Sequence, residues 1–201
     1  MANSDHEIAQ RVLGGDHRAF AELIDRHKDR AMTLATRMLK NREDAEEVLQ
    51  DAFLRVFRAL PAFEWKSSFS TWFYRIVFNV CSTALARRNG AAVVSIDEDG
   101  GEAAILRNER GPDISFEMAE LQSIVGEEIA KLPSLYASVL TLFLVQEMSY
   151  DEIAQLTGWP LGTVKVRLFR ARTLLREAVV KRIEGQNGSM KIRVPQKEKI
   201  V

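Results

Sequence analysis

The chain has 201 residues, of which 46% are hydrophobic and 28% charged, and 28 basic residues balance 28 acidic ones. This length accommodates one medium-sized domain or two small ones. The single cysteine, Cys81, excludes an intramolecular disulfide framework. The first residues lack the basic start and apolar run of a signal peptide, and the longest apolar-rich stretch, 138–145, is too short to span a bilayer. We therefore expect a cytoplasmic protein that does not insert into membranes.

Helical periodicity dominates the first part of the chain. A capping box at Ser4 opens a short helix, and Asp16 can cap a second one whose apolar face continues to residue 38. A third helix ends at Pro61, because proline cannot continue it. A loop over 62–70 leads into a fourth helix over 71–88.

The character of the sequence changes after residue 88. Residues 93–120 hold eight acids against two arginines, together with several glycines and no sustained apolar period. Helical periodicity then returns and ends in a polar, basic tail. The sequence predicts an all-α fold with two small helical domains, 1–88 and 116–184. An acidic flexible linker, 89–115, joins the domains, and a tail, 185–201, follows them.

Aromatic residues are concentrated around the start of the fourth predicted helix. Seven of the 16 aromatic residues of the chain lie in 63–78, and the cations Lys66 and Arg75 lie between them. Unpaired bases stack on such rings with about 1–3 kcal/mol each, while cations follow the phosphates. A small domain can equally bury several rings in its core. The buried stripe of the helix leaves four rings on other faces or in the loop: Trp65, Phe69, Tyr74 and Phe78.

Residues 149–176 have the pattern of a helix-turn-helix. Ser149 begins a second capping box, Gly158 lies at the turn, and Pro160 suits the first turn of the next helix. The buried stripe of that second helix consists of Val164, Leu168, Ala171 and Leu175. Residues 157–183 contain seven Lys or Arg and one acid. Such a helix can place cations in a major groove, although a merely solvated amphipathic helix is the alternative.

Three motifs, in this order, resemble the bacterial sigma-70 family. They are EDAEEVLQDAFLRVFRAL at 43–60, SFSTWFYRIVFNV at 68–80 and GTVKVRLFRAR at 162–172. The whole chain is similar to RNA polymerase sigma factors of the extracytoplasmic-function (ECF) group, which have only a region 2 domain and a region 4 domain. The resemblance implies an alternative sigma factor. Such a factor binds core RNA polymerase, directs promoter-specific initiation at −10 and −35 elements, and aids strand opening.

The resemblance also assigns roles to individual residues. It implies that Glu47, Gln50, Asp51 and Arg55 contact the clamp helices of the polymerase β′ subunit. Recognition and melting of the −10 element fall to Lys66, Ser67, Ser68, Phe69, Trp72, Tyr74, Arg75 and Asn79. Recognition of the −35 element falls to Gly162, Thr163, Lys165, Val166, Arg167, Phe169 and Arg170. Trp65 and Val166 depart from the family, whose members usually carry small or polar residues at these positions.

The implied partners are core RNA polymerase, promoter DNA and an anti-sigma factor. Polymerase would be contacted through its β′ clamp helices and β flap, and DNA both as duplex and as non-template single strand. The acidic linker would run toward the RNA exit path, with a merely soluble tether as the alternative for its individual acids. No cofactor or metal is expected.

Two other classes of protein compete with this interpretation. A stand-alone helix-turn-helix regulator would bind its operator without polymerase and carry a sensor or dimerisation surface in 1–88. An enzyme is disfavoured, because His6, His17 and His27 lack metal-ligand spacing. The sequence also has no phosphate-binding loop or nucleophile elbow.

Overall fold

The computed structural model describes residues 4–88 and 116–186, and within these ranges the fold is all-α, as predicted. A one-turn 3₁₀ helix, Leu60–Ala62, follows the third α-helix. The α-helices are α1 (Asp5–Leu13), α2 (Ala19–Leu39), α3 (Arg42–Ala59), α4 (Phe69–Arg88), α5 (Phe116–Lys131), α6 (Ser134–Leu144), α7 (Tyr150–Thr157) and α8 (Leu161–Gln186). The predicted linker and all but the first two residues of the predicted tail lie outside the described residues.

Side-chain caps fix the starts of several helices. Ser4 and Ser149 each form the predicted capping box, with Glu7 and Glu152 respectively. Asn41 accepts hydrogen bonds from two backbone amides at the start of α3. Each cap satisfies amide groups that have no partner within the helix, so the start of the helix is set locally by the sequence.

Helix α4 begins two residues earlier than predicted. The side-chain oxygen of Ser68 accepts a hydrogen bond from the Thr71 amide at 3.0 Å, and its carbonyl accepts one from Trp72 at 3.1 Å. Ser68 therefore acts as an N-cap. As a result, Phe69 belongs to the first turn of the helix instead of the preceding loop.

Helix α2 is central to the first group of helices and packs against α1, α3 and α4. Its apolar face, including Leu23, Ala31 and Leu34, is almost fully buried. His27 lies on the same face, 3.0 Å from a carboxylate oxygen of Asp5 on α1. Burial of each large apolar side chain stabilises the fold by roughly 1.5–3 kcal/mol.

The second group of helices forms around α6, which packs against α5, α7 and α8. Leu140 and Leu142 of α6 are fully buried and belong to the same core as Ile153 of α7 and Leu168 of α8. Between α7 and α8, Gly158 adopts a left-handed backbone with φ 74°, which glycine accepts without strain. The predicted helix-turn-helix is thus present at α7 and α8.

The two groups of helices pack directly against each other, mainly through α2 on α6 and α4 on α7. Arg37 donates a hydrogen bond of 2.9 Å to the hydroxyl of Thr141, and Lys40 donates one of 2.6 Å to the carbonyl of Ala130. Burial lowers the pKa of both cations. The sequence patterns did not predict this interface, since each helix pattern is local.

Candidate nucleic-acid and polymerase interface

The residues predicted to contact polymerase lie on the outer side of α3. Glu47, Gln50 and Arg55 are exposed, whereas Val48, Ala52 and Val56 on the inner side are buried. Arg55 and Asp51, four residues apart, form an ion pair of 2.8 Å. The four predicted residues therefore share a charged, accessible surface.

The same surface contains an apolar residue that the sequence motifs did not single out. Leu54, next to Arg55 and one turn beyond Gln50, is 55% exposed. Phe57 is also exposed and contacts Phe20 with a ring separation of 5.0 Å. The sequence could have indicated this exposure, because Leu54 does not share the four-residue spacing of the buried positions Val48, Ala52 and Val56. This surface of α3 thus combines charged groups with an apolar centre.

Five of the residues predicted to read the −10 element are accessible, and Ser68 at the start of α4 is one of them. Lys66 and Ser67 lie in the loop before α4, where Lys66 forms an ion pair with Glu64. Arg75 and Asn79 lie one turn apart on α4, and both are exposed. These residues can present donors and a cation to a nucleic acid strand.

The aromatic residues of this region divide into two groups. Trp72 is half-buried and stacks on Phe63, with ring centroids 4.5 Å apart. Phe69, Tyr74 and Phe78 are buried, so the prediction that their rings lie outside the core is wrong. Burial also raises the pKa of the Tyr74 phenol. Phe69 and Tyr74 consequently stabilise the fold and do not present a surface for bases.

The predicted −35 surface lies at the start of α8. The buried stripe of this helix is as predicted, and on the opposite side Gly162, Lys165 and Phe169 are exposed. Thr163, Val166 and Arg170 are partly exposed beside them. This side of α8 has the cation and apolar groups that major-groove contacts use.

Arg167 is the exception among the predicted −35 residues. Its guanidinium lies over the ring of Trp159, 4.0 Å from the ring centroid, and one of its terminal nitrogens is buried without a hydrogen-bond partner. Burial lowers the pKa of this group. In this arrangement the guanidinium of Arg167 lies against Trp159, and its role at the −35 element stays a prediction. Trp159 occupies the turn, and its ring holds the cation in place.

The turn of the helix-turn-helix lies against α4. The rings of Trp159 and Phe78 meet edge to face, with centroids 5.6 Å apart. Nearby, the Thr71 hydroxyl is 3.4 Å from a carboxylate oxygen of Glu152 on α7. The two predicted DNA-binding surfaces are therefore neighbours in this structure.

Residues 4–88 and 116–186 hold no candidate metal site and no candidate membrane-spanning helix. No group of three or more His, Cys, Asp or Glu side chains in this part of the chain could hold a metal ion. Among the helices described, none is long and apolar enough to cross a membrane.

Two family models match the chain. The model for sigma-70 region 2 matches residues 23–90, and the model for sigma-70 region 4 matches residues 122–175. The first match includes α3, the loop before α4, and α4 itself, and the second includes the helix-turn-helix. Together they account for more than half of the chain.

Curated relatives extend the similarity over nearly the whole sequence. The chain is 32% identical to the ECF RNA polymerase sigma factor SigW of Bacillus subtilis, over 84% of this chain and 92% of that protein. It is 34% identical to the ECF RNA polymerase sigma-E factor of Escherichia coli, over 88% of this chain and 94% of that protein.

Solved structures show the same fold. CnrH, solved in complex with the cytosolic domain of CnrY, has a TM-score of 0.60 and 24% identity, covering 89% of this chain and 99% of CnrH. RpoE from Bartonella quintana, solved with the anti-sigma factor NepR, has a TM-score of 0.57 and 19% identity, covering 80% and 96%. With both sigma-70 regions matched in order and relatives above 30% identity along most of its length, the chain belongs to the sigma-70 family and is a sigma factor of the ECF group.

Proposed function

We propose that this sigma factor binds core RNA polymerase through α3 and directs it to promoters with paired −35 and −10 elements. The observation that carries the proposal is the exposed side of α8 after the Gly158 turn, where Gly162, Lys165 and Phe169 lie opposite a fully buried stripe. A helix presented in this way fits the major groove of the −35 element. The proposed place of action is the cytoplasm.

At the −10 element, the proposed reader is the loop before α4 together with the exposed side of α4. A base of the non-template strand would leave the stack and enter a pocket lined by Lys66, Ser67 and Ser68. Unstacking a base costs a few kcal/mol, which contacts in the pocket can offset. Arg75 and Asn79 would hold the adjoining strand, the first through phosphate and the second through a base edge.

The outer side of α3 is the proposed docking surface for the β′ clamp helices. Charged groups flank the exposed Leu54, and interfaces commonly place an apolar anchor within such a polar rim. Contact between the region 4 helices and the β flap would complete the holoenzyme. An anti-sigma partner is also proposed, because RpoE of Bartonella quintana was solved with the anti-sigma factor NepR.

Binding of both promoter elements requires the two groups of helices to separate. The numbering of the elements places them about 25 base pairs apart, which is roughly 85 Å along duplex DNA. In the closed arrangement, by contrast, Phe78 and Trp159 are in contact. The 27 residues from 89 to 115 could span about 90 Å when extended. We infer that the closed arrangement is the form free of promoter and that the linker allows it to open.

In vitro transcription with purified core enzyme on a promoter library tests this proposal. The expected result is initiation from a restricted set of promoters that share two spaced elements, with none from core enzyme alone. Absence of both core binding and promoter-dependent initiation would overturn it. Tight, sequence-specific binding to duplex DNA without polymerase would instead favour the stand-alone regulator.

A further inference from the structure

Trp65, in the loop before α4, has an unusual backbone conformation. Its φ of 57° lies in the left-handed region, which bulky residues seldom adopt. Such a conformation persists only where the surroundings enforce it. The side-chain contacts of Trp65 therefore indicate what holds this loop in shape.

Two aromatic neighbours enclose the Trp65 ring. His6 of α1 meets it edge to face, with centroids 4.2 Å apart, and Phe63 contacts it at 4.6 Å with the two rings tilted by 47°. Phe63 in turn stacks on Trp72 of α4 at 4.5 Å, with an interplanar angle of 18°. A continuous row of rings thus runs from α1 across the loop to α4.

Helix α1, which carries the first ring of this row, is itself anchored in the fold. Ile8, Ala9 and Val12 are buried, and Ser4 caps the helix together with Glu7. Asp5, the neighbour of His6, accepts a hydrogen bond of 2.6 Å from Arg26 of α2. His6 is consequently held by its helix against the loop, although its own side chain remains exposed.

The other end of the loop is held by α4. Ser68 caps that helix through the Thr71 amide, as described above. Only Lys66 and Ser67 lie between this cap and Trp65. With both flanking residues held, these two have a preset position, which is the condition for a selective pocket.

We propose that His6 is a positioning residue for promoter opening: by holding Trp65 it sets the loop that receives the flipped −10 base. Helix α1 thereby contributes to base selectivity without touching DNA. This inference rests on the proposed function of the loop and adds a role for a helix that lies before the matched region 2 segment.

The contact itself can be measured without polymerase or DNA. In a Trp72→Phe, Trp159→Phe background, Trp65 is the sole tryptophan of the chain. His6→Ala should increase acrylamide quenching of its fluorescence, because one side of the ring is uncovered. His6→Phe keeps an aromatic neighbour and should leave the quenching unchanged. Equal quenching in the background protein and in its His6→Ala and His6→Phe variants would overturn the proposal that His6 holds Trp65.

The functional consequence is measured with full-length protein and core enzyme, otherwise unmodified. His6→Ala and Trp65→Gly should lower the preference for the correct flipped base in open-complex formation by about tenfold, because a loop displaced by an ångström loses its contacts. Glycine adopts the left-handed conformation freely, so Trp65→Gly removes the ring without adding backbone strain. His6→Phe should restore the preference.

Core binding and −35 selectivity serve as internal controls. Both should be unchanged in His6→Ala, since the ring contact of His6 is with Trp65, whereas the proposed polymerase and −35 residues lie on α3 and α8. Unchanged base preference in His6→Ala and Trp65→Gly would overturn the positioning role. Failure of the wild-type protein to bind core enzyme would instead contradict the proposed function, while the quenching experiment would still report on the contact.

Discussion

Phe78 of α4 and Trp159 of the helix-turn-helix turn join the two halves of the molecule through an edge-to-face ring contact of 5.6 Å. Trp159 also carries the guanidinium of Arg167 on its ring. Trp159 therefore links the interface between the halves to a cation of α8. Opening of the interface would uncover the side of the Trp159 ring that contacts Phe78.

Fluorescence energy transfer should detect this opening. Dyes on Glu46→Cys and Glu177→Cys, both exposed sites, would report the distance between α3 and α8. The native Cys81 should react slowly, because it is buried and burial raises its pKa to about 12. We expect high transfer in the free protein and low transfer in the complex with core enzyme and promoter.

Trp159→Ala should lower the transfer in the free protein, because the interface loses its aromatic contact. Leu174→Ala, which truncates an exposed side chain elsewhere on α8, is the matched control and should have no effect. Equal transfer in the free and promoter-bound wild-type protein would contradict the proposed separation.

The two proposed DNA-binding surfaces should respond differently to substitution. Asn79→Ala should impair melting or change the −10 preference, whereas Arg170→Ala should weaken discrimination at the −35 element. A lost base contact typically costs about 1–3 kcal/mol, so roughly a tenfold effect is expected for each. Permanganate footprinting and initiation assays on promoters altered in one element distinguish the two. A uniform loss on every promoter with both variants would show that the assignment is incorrect.

Docking to polymerase should depend on Leu54. Leu54→Ala removes an apolar side chain that is 55% exposed beside the Asp51–Arg55 pair, and we expect about tenfold weaker core binding. Leu13→Ala on α1, which truncates another exposed leucine, is the control. Fluorescence anisotropy with labelled sigma factor provides the affinities. Equal affinities of Leu54→Ala and wild type would place the docking surface elsewhere.

The features that the sequence predicted well are those determined by local interactions. The Ser149 capping box and the Gly158 turn depend on residues within one or two turns of helix. The buried stripe of α8 follows from the helical period, because the helix has a single buried side near its start. Such patterns define both helix boundaries and the inward face without knowledge of neighbouring elements.

Helix α4 shows why other features could not be predicted. It packs against α2 and α3 and also against α7 from the other half of the molecule. Phe69, Tyr74 and Phe78 are consequently buried although they lie outside the expected stripe. Likewise, Arg167 reaches Trp159 only because the turn brings that ring beside α8. These positions depend on tertiary contacts that a single helical period does not contain.

The pH dependence of stability should identify the ion pairs that join α5 to α8. Glu128, whose side chain is only 7% exposed, accepts hydrogen bonds from Lys131 at 2.6 Å and Arg182 at 2.9 Å. The bond from Lys131, and then that from Arg182, lowers the pKa of this carboxyl below its ordinary 4.5. The charged carboxylate therefore stabilises the fold above that pH, and the contribution is lost as the pH falls through the folded-state pKa.

Glu128→Gln should accordingly lower the urea midpoint at neutral pH, and its difference from wild type should shrink in buffers more acidic than the ordinary carboxyl pKa of 4.5. Glu127→Gln is the matched control. Glu127 also pairs with Arg182, at 2.7 Å, but its side chain is 54% exposed, so solvent screens the pair and its removal should change the midpoint less. A Glu128→Gln difference that stays constant across the pH series would mean that packing of the side chain, and not its charge, stabilises this junction.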